Sequence, residues 1–363
     1  MRKKVLIIAH HRLDRSPGQR FRFEQYLSYL EQNGFEFTIS NIVDEQDDGV
    51  LYAKGKLIRK FFLALKAWWI RYKDVRRAND FDIIFIFREA FFTGSDRFEK
   101  AFSKSKAKVI FDFDDAIWLP NVSLHNRKLK RLKNPGKTEK LIAYADMVFA
   151  GNNYLASYAR QFNQQVKVIP TTIDLNYHTA KGKVEVEGGK VVIGWTGSQT
   201  TLQYLDLLSP VLKRLQAEFA DKIEIKVICD HAWEVDALEV ENVKWEKEQE
   251  IYQLHTFDIG IMPLTDDDWS RGKCAFKALQ YMAIGIPAVI SAVGVNKEII
   301  QEGQNGFTAD TEEEWYQSLK SLILDAQLRE RIGLEAREYV RSNYSVETYK
   351  KRYLNYFEEV LTL

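Results

Sequence analysis

Ten short apolar runs, spread along the chain and separated by polar or helix-period segments, constrain the fold more than any other feature. The first half holds KKVLIIA, FEFTIS, FDIIFIF, AKVIFDF, DMVFA and VKVIP; the second holds KVVIGW, IEIKVIC, FDIGIMP and PAVIS. Runs this short and this uniformly apolar read as strands buried on both faces, the pattern of a parallel sheet covered by helices. Helix-period stretches fall between them, at about 21–30, 54–77, 200–219, 249–255 and 273–284. The 363 residues are enough for two domains of ordinary size. The stretch YHTAKGKVEVEGG, 177–189, is polar and carries Gly182, Gly188 and Gly189, so it is the best linker candidate. The predicted class is α/β, two Rossmann-like domains facing a central cleft, with boundaries at 1–176 and 190–344. Ligands in such sheets sit beyond the carboxyl ends of the strands, so the residues just after each run are the ones to inspect.

The two cysteines, Cys229 and Cys274, lie far apart in sequence and form neither a disulfide framework nor a zinc motif, which fits a reducing compartment. The N-terminal apolar run is too short for a signal peptide, and no apolar stretch approaches the roughly 20 residues that span a bilayer. A cytoplasmic location is expected. Net charge is +1 overall but is unevenly divided. Residues 1–180 hold 31 Lys/Arg against 20 Asp/Glu, and the remainder holds 21 against 31. Such an asymmetry suggests that the first half faces something anionic.

Four post-strand segments carry candidate chemistry. After KKVLIIA comes HHRLDRSPGQRFRF, where Gly18 frees the backbone just before a helix and Arg20 and Arg22 add charge. It lacks the Gly-x-Gly-x-x-Gly spacing of a dinucleotide loop. After AKVIF comes DFDDAIW. Asp112, Asp114 and Asp115 could ligate Mg²⁺ or Mn²⁺, accept sugar hydroxyls, supply an acid or base, or merely cap a helix beside an ion pair. After KVVIGW comes Thr196-Gly197-Ser198, a turn in which Gly197 permits close ligand approach and Ser198 reads as an N-cap. After FDIGIMPL and the acidic Asp266–Asp268 comes SRGKCAFKALQYMA. Here Lys273 and Lys277, four apart, are expected on one helix face, with Arg271 beside them. Cations there oppose the helix dipole unless an anion binds, in which case dipole and ammonium groups converge on it. The alternative is pairing with the acidic loop or exposure to water. Phe276, Leu279, Met282 and Ala283 form the apolar side of this helix.

Residues 54–77, KGKLIRKFFLALKAWWIRYKDVRR, contain nine Lys/Arg and one Asp, with aromatic and aliphatic residues at helical spacing. Lys60, Phe61, Trp68, Trp69 and Arg71 are the candidate residues for an anionic membrane surface at the inner face of the cell membrane. Packing against the protein itself is the competing reading. RKLKRLKNPGKTEK, 127–140, adds seven more basic residues. No nucleic-acid motif accompanies this charge, so no nucleic-acid partner is expected.

Two further segments carry a resemblance. ADMVFAGNNYLASYARQFNQQVKVIPTTIDLNYH and QYMAIGIPAVISAVGVNKEIIQEGQNGF resemble the domain crossing and the signature segment of the retaining GT-B glycosyltransferases, the large group 1 family that includes sucrose synthases and bacterial mannosyltransferases. The resemblance implies a nucleotide-sugar donor bound by the second domain and an acceptor bound by the first. It also implies a final helix, about 345–363, returning to the first domain, and catalysis without metal or other cofactor. Glu298 matches the last glutamate of the signature, Gly294 one of its glycines and Gly18 the glycine loop of the first domain. Asp114 falls near the acceptor-site histidine of the family. Gly272 and Gln280 stand where its Glu-x7-Glu pair is expected, and WTGSQTTL replaces its diphosphate-binding Arg and Lys. Compensation by Arg271, Lys273 and Lys277 follows. The candidate donor site is Gly197, Ser198, Arg271, Lys273, Lys277, Gln280, Gly294 and Glu298; the acceptor side is Gly18, Arg20, Asp112 and Asp115; Asp114 and Lys273 are the catalytic candidates. The expected function is sugar transfer to a glycan or lipid-linked acceptor in cell-envelope polysaccharide synthesis, with retention. The rivals are an inactive glycan-binding scaffold and a nucleotide-sugar epimerase.

Overall fold

The computed structural model describes residues 2–51, 55–119, 134, 136–182 and 189–363. It divides into two compact units, one of Met1–Thr171 with Tyr349–Leu363 and one of Thr172–Thr348. Residues 183–188 of the expected linker lie outside the described residues. Its described beginning is no linker: Tyr177 donates to Glu250 at 2.7 Å and the Lys181 ammonium donates to Asp258 at 2.7 Å, which fastens this stretch into the second unit. Of the basic stretch 127–140, residues 127–133 and 135 likewise lie outside the described residues.

The first unit is built on a six-stranded parallel sheet: β1 (Lys3–His11), β2 (Phe35–Val43), β3 (Ile83–Phe87), β4 (Lys108–Phe113), β5 (Met147–Ala150) and β6 (Val166–Val168), in the order β2-β1-β3-β4-β5-β6. The centre of β1, Val5 to Ala9, and all of β3 are buried, as continuous apolar runs require. The C-terminal helix Val346–Val360 completes this core. Its Tyr353 stacks on Tyr26 at 4.2 Å, and Phe357 packs on Phe35 and Phe85.

The second unit holds β7 (Val191–Thr196), β8 (Ile223–Cys229), β9 (Glu241–Lys244), β10 (Ile259–Met262), β11 (Ala288–Ser291) and β12 (Phe307–Ala309), all parallel, ordered β12-β11-β10-β7-β8-β9. Two of these strands escape the sequence reading. β9 is a polar edge strand with three exposed residues, and β12 has only three residues, so neither presents an apolar run.

Three expected helices are interrupted. The stretch 21–30 becomes a 3-10 turn, Glu24–Tyr26, followed by the helix Leu27–Gln32. The stretch 200–219 divides at Ser209-Pro210, because proline fits the first turn of a helix and disfavours its interior. Between Lys273 and Lys277, Ala275 takes a left-handed conformation (φ +53°) and caps the helix Phe276–Ile284. Lys273 therefore lies in the turn before the helix and Lys277 in its first turn, so the two do not share one helical face.

Candidate active site

The strand order of the second unit reverses between β10 and β7. Adjacent crossovers run to opposite sides there, leaving the carboxyl ends of these strands uncovered for a ligand. Gly197 follows β7 directly. A Cβ at this position would lie 2.5 Å from the Trp195 ring and 2.8 Å from Cε of Lys277, so only glycine lets the three pack. The Lys277 ammonium lies 5.5 Å above the Trp195 ring, in cation–π range. Tyr281, one turn further along the helix, ties the reversal point together. Its hydroxyl accepts from the Thr196 N–H at 3.1 Å and donates to the Ile261 carbonyl at 3.3 Å. Burial raises this phenol above its ordinary range, keeping the donor proton in place.

The turn after β7 is not a bare anion cradle. The Gly197 N–H donates to Ile228 O at 3.1 Å and the Ser198 N–H to Thr201 Oγ1 at 3.3 Å. The Ser198 side chain meets Thr200 and closes a capping box with Thr201. Side-chain cations must therefore supply most of the attraction for a phosphate here. Lys273 is half-buried with its ammonium 5.4 Å from the Trp269 ring. Arg271 is exposed and donates to Asp266 at 2.8 Å and Asp268 at 3.4 Å, so it is the cation that takes up the acidic loop.

The loop after β11 joins this group. The Leu264 N–H donates to Ser291 Oγ at 2.9 Å, linking the ends of β10 and β11. Gly294 adopts φ +55°, and a Cβ there would come within 3.0 Å of the Arg271 backbone. Glu298 keeps an exposed side chain, and its carbonyl accepts from Tyr339 at 3.2 Å. Gln280 departs from its expected place. It is 2% exposed, and its carboxamide donates to His178 Nε2 at 3.2 Å, so it is directed into the unit rather than toward a ligand. Its partner went unnoticed because His178 falls inside the stretch read as a linker.

In the first unit, the order reverses between β1 and β3, and here too charged residues gather. Arg88, just past β3 at φ +61°, donates to Asp114 at 2.7 Å and also to Asp115. A Cβ on Gly18 would stand 3.5 Å from both Arg88 and Asp114, so Gly18, Asp114 and Asp115 are brought together around an arginine the sequence reading overlooked. Asp112 does not join them. It and Arg22 are each 1% exposed and form a bidentate pair, and Arg22 also donates to the Ile169 carbonyl. Arg22, bound to this carboxylate, ties β4 to the end of β6. Arg20 is 8% exposed, lies 3.9 Å from Asp14 and sits over the Phe21 ring.

Two more buried cations fix the loops at this reversal. Arg71 is wholly buried and donates to Ala9 O at 2.6 Å, Ala90 O at 2.7 Å and Asp74 at 2.9 Å. It pins the ends of β1 and β3 and offers nothing to a membrane, which corrects its expected role. Lys137 donates to Glu89 at 3.0 Å, pairs with Glu99 at 3.1 Å and donates to Phe91 O at 2.7 Å. His10, the last residue but one of β1, is also new to the site. Its buried Nε2 meets no hydrogen-bond partner among the described residues. Burial, then the charges of Arg71, His11, Lys137 and Arg88, push its pKa well below the ordinary value, so the imidazole is neutral. The HHR tripeptide at a strand end was the available signal for it.

Two units, each built on a six-stranded parallel sheet covered by helices, are the fold of the GT-B glycosyltransferase structures. Residues 190–325 match the family of glycosyl transferases group 1. That match lies within the second unit and covers about a third of the chain, and the fold of the chain is that of the GT-B class. Among solved structures, sucrose-phosphate synthase from Thermosynechococcus elongatus superimposes with TM-score 0.70 at 11% identity, over 99% of this chain and 100% of the other. HepE from Anabaena, in complex with UDP and glucose, gives TM-score 0.63 at 14% identity over 99% and 100%. Spore coat protein SA of Bacillus subtilis is 28% identical over 81 residues, 22% of each chain.

Proposed function

We propose that this protein transfers a sugar from a nucleoside-diphosphate sugar to a glycan or lipid-linked acceptor in the synthesis of a cell-envelope polysaccharide, with retention of anomeric configuration. The observation that carries the reading is the seating of Lys277 against Gly197 and Trp195 at the strand reversal of the unit that matches group 1 glycosyl transferases. The HepE structures that hold UDP with glucose, or UDP-glucose, support a donor of this type. The spore-coat relative supports a surface polymer as the product.

In this reading the bond between the anomeric carbon and the diphosphate oxygen breaks while the acceptor oxygen bonds to the same carbon and its hydroxyl proton passes to the departing diphosphate. Negative charge builds on the departing diphosphate. Lys277 and Lys273, with the positive end of the helix Phe276–Ile284, stabilise that charge more strongly in the transition state than in the bound donor. Asp114, held by Arg88, and Gly18 contribute to acceptor hydroxyl recognition in the first unit. No metal or other cofactor takes part, and the protein works in the cytoplasm.

A panel of UDP-, GDP-, ADP-, CMP- and dTDP-sugars in thermal shift tests the reading. One donor raises the melting temperature and, with acceptor present, loses its sugar to it. A binding-only protein is favoured by Gly272 and the inward-facing Gln280; it shifts with a glycan and with no donor. Isomerisation of the donor without acceptor marks an epimerase.

A further inference from the structure

The helix Leu57–Arg76 is turned opposite to the usual sense of a surface helix. Its packed side is Leu63, Ala67, Arg71, Asp74 and the following Ala78, and includes a buried ion pair between Arg71 and Asp74. Its water-facing side carries Ile58 at 75% exposure, Phe61 at 61%, Phe62 at 62%, Leu65 at 49% and Trp69 at 52%. At 100° per residue these five fall within one arc diametrically across the helix from Ala67. With Trp68 they make up six of the twelve large apolar residues exposed among the described residues, so the patch is concentrated rather than scattered.

The outward charge on the helix itself is of one sign. Arg59, Lys66 and Lys73 repeat every seven residues along one flank, and Arg76 lies at the end. The one acidic residue of the helix, Asp74, is buried and bound to Arg71 and Arg77. Lys66 is held by Asp44 and Asp47, so Arg59, Lys73 and Arg76 provide the outward charge. Lys60 is half-buried toward the packed side.

We propose that this helix docks flat on an anionic lipid bilayer, with Ile58, Phe61, Phe62, Leu65 and Trp69 in the interface between headgroups and acyl chains and the basic flank on the headgroups. An apolar stripe with a basic border on a helix lying in the bilayer plane is the form such docking takes. Charge decides between the occupants. A second copy on this face would set one basic border against another, whereas an anionic bilayer satisfies stripe and border together. The inference is independent of the donor chemistry, because no donor-site residue lies on this helix.

The test is flotation of the full chain with phosphatidylcholine vesicles, with and without phosphatidylglycerol. The wild type floats with the anionic vesicles and stays behind with phosphatidylcholine alone. The double variant Phe61→Ser/Trp69→Ser loses flotation by about tenfold or more, and Arg59→Gln/Lys73→Gln loses it severalfold and becomes indifferent to lipid charge. Both keep the wild-type melting temperature and nucleotide response, since these side chains point to water. Flotation unchanged in the apolar variant, or absent in the wild type, overturns the inference. So does a wild-type dimer that the apolar variant dissolves while vesicles capture neither.

Discussion

Lys277 is a cation in the first turn of a helix, where the dipole disfavours it by about 0.3–1 kcal/mol when exposed. The fold gives it Trp195 as a partner and Gly197 as the space to reach it. Gly197→Ala places a methyl group on both, so it should unseat the lysine and lower sugar transfer more than it lowers melting temperature. Activity equal to wild type would contradict this packing. Residue identities pointed to the lysine and the glycine that the fold packs together. They did not foretell Trp195, which read as a strand residue, nor the internal role of Gln280, because burial of a single side chain depends on elements distant in sequence.

Asp112 makes the same point in the first unit. Read along the chain it belongs with Asp114 and Asp115, yet alternation along the strand end sends it inward to Arg22. Arg22→Ala leaves a buried carboxylate uncompensated and should cost about 3–5 kcal/mol in chemical denaturation. His10 adds a pH signature. Its folded pKa is depressed, so below the unfolded value of about 6.5 the unfolded chain binds the extra proton and stability falls. His10→Leu should lose less stability than wild type between pH 6.5 and 5, with no difference above pH 7.5; parallel melting curves would show that His10 does not titrate this way.

At the scale of elements, strands were far more legible than helix orientation. A run such as Ile83–Phe87 is apolar throughout and fits one environment, a sheet centre. The helix Leu57–Arg76 is apolar on two sides, so periodicity establishes a helix without saying which side packs. The packed side proves to be the narrower one, held by Arg71. Arg71→Ala should therefore destabilise by about 3–5 kcal/mol, while Lys73→Ala on the outer flank changes stability by less than about 0.5 kcal/mol. Equal effects would place the helix wrongly. The C-terminal helix is anchored by aromatic residues, and Phe357→Ala should cost about 3–5 kcal/mol through the cavity it leaves.

At the scale of the whole molecule, the basic residues described in the first half have two destinations. Arg22, Arg71 and Lys137 are consumed inside the first unit, where they hold strand-end loops in place. Arg59, Lys73 and Arg76 remain at the surface. Charge counting registers the sum and cannot separate the two uses, which is why the excess looked like a single signal for an anionic partner. The parallel plan was readable because each central strand is buried on both faces. No glycine or proline cluster marks the chain crossings at 171–172 and 348–349, and only the resemblance of IPTTID to a domain crossing, with the returning final helix it implies, pointed to them.

The central claim is that a nucleoside diphosphate is held at the reversal point of the second unit by Lys277 and Lys273. Titration calorimetry of UDP, GDP and ADP against wild type, Lys277→Ala and Lys273→Ala tests it directly. One diphosphate binds the wild type, and loss of Lys277 weakens it about 10- to 100-fold, the effect of about 1.5–3 kcal/mol from a charged hydrogen bond. Loss of Lys273 weakens it by a smaller factor in the same direction. Binding of that diphosphate with the same affinity in all three proteins would contradict the account.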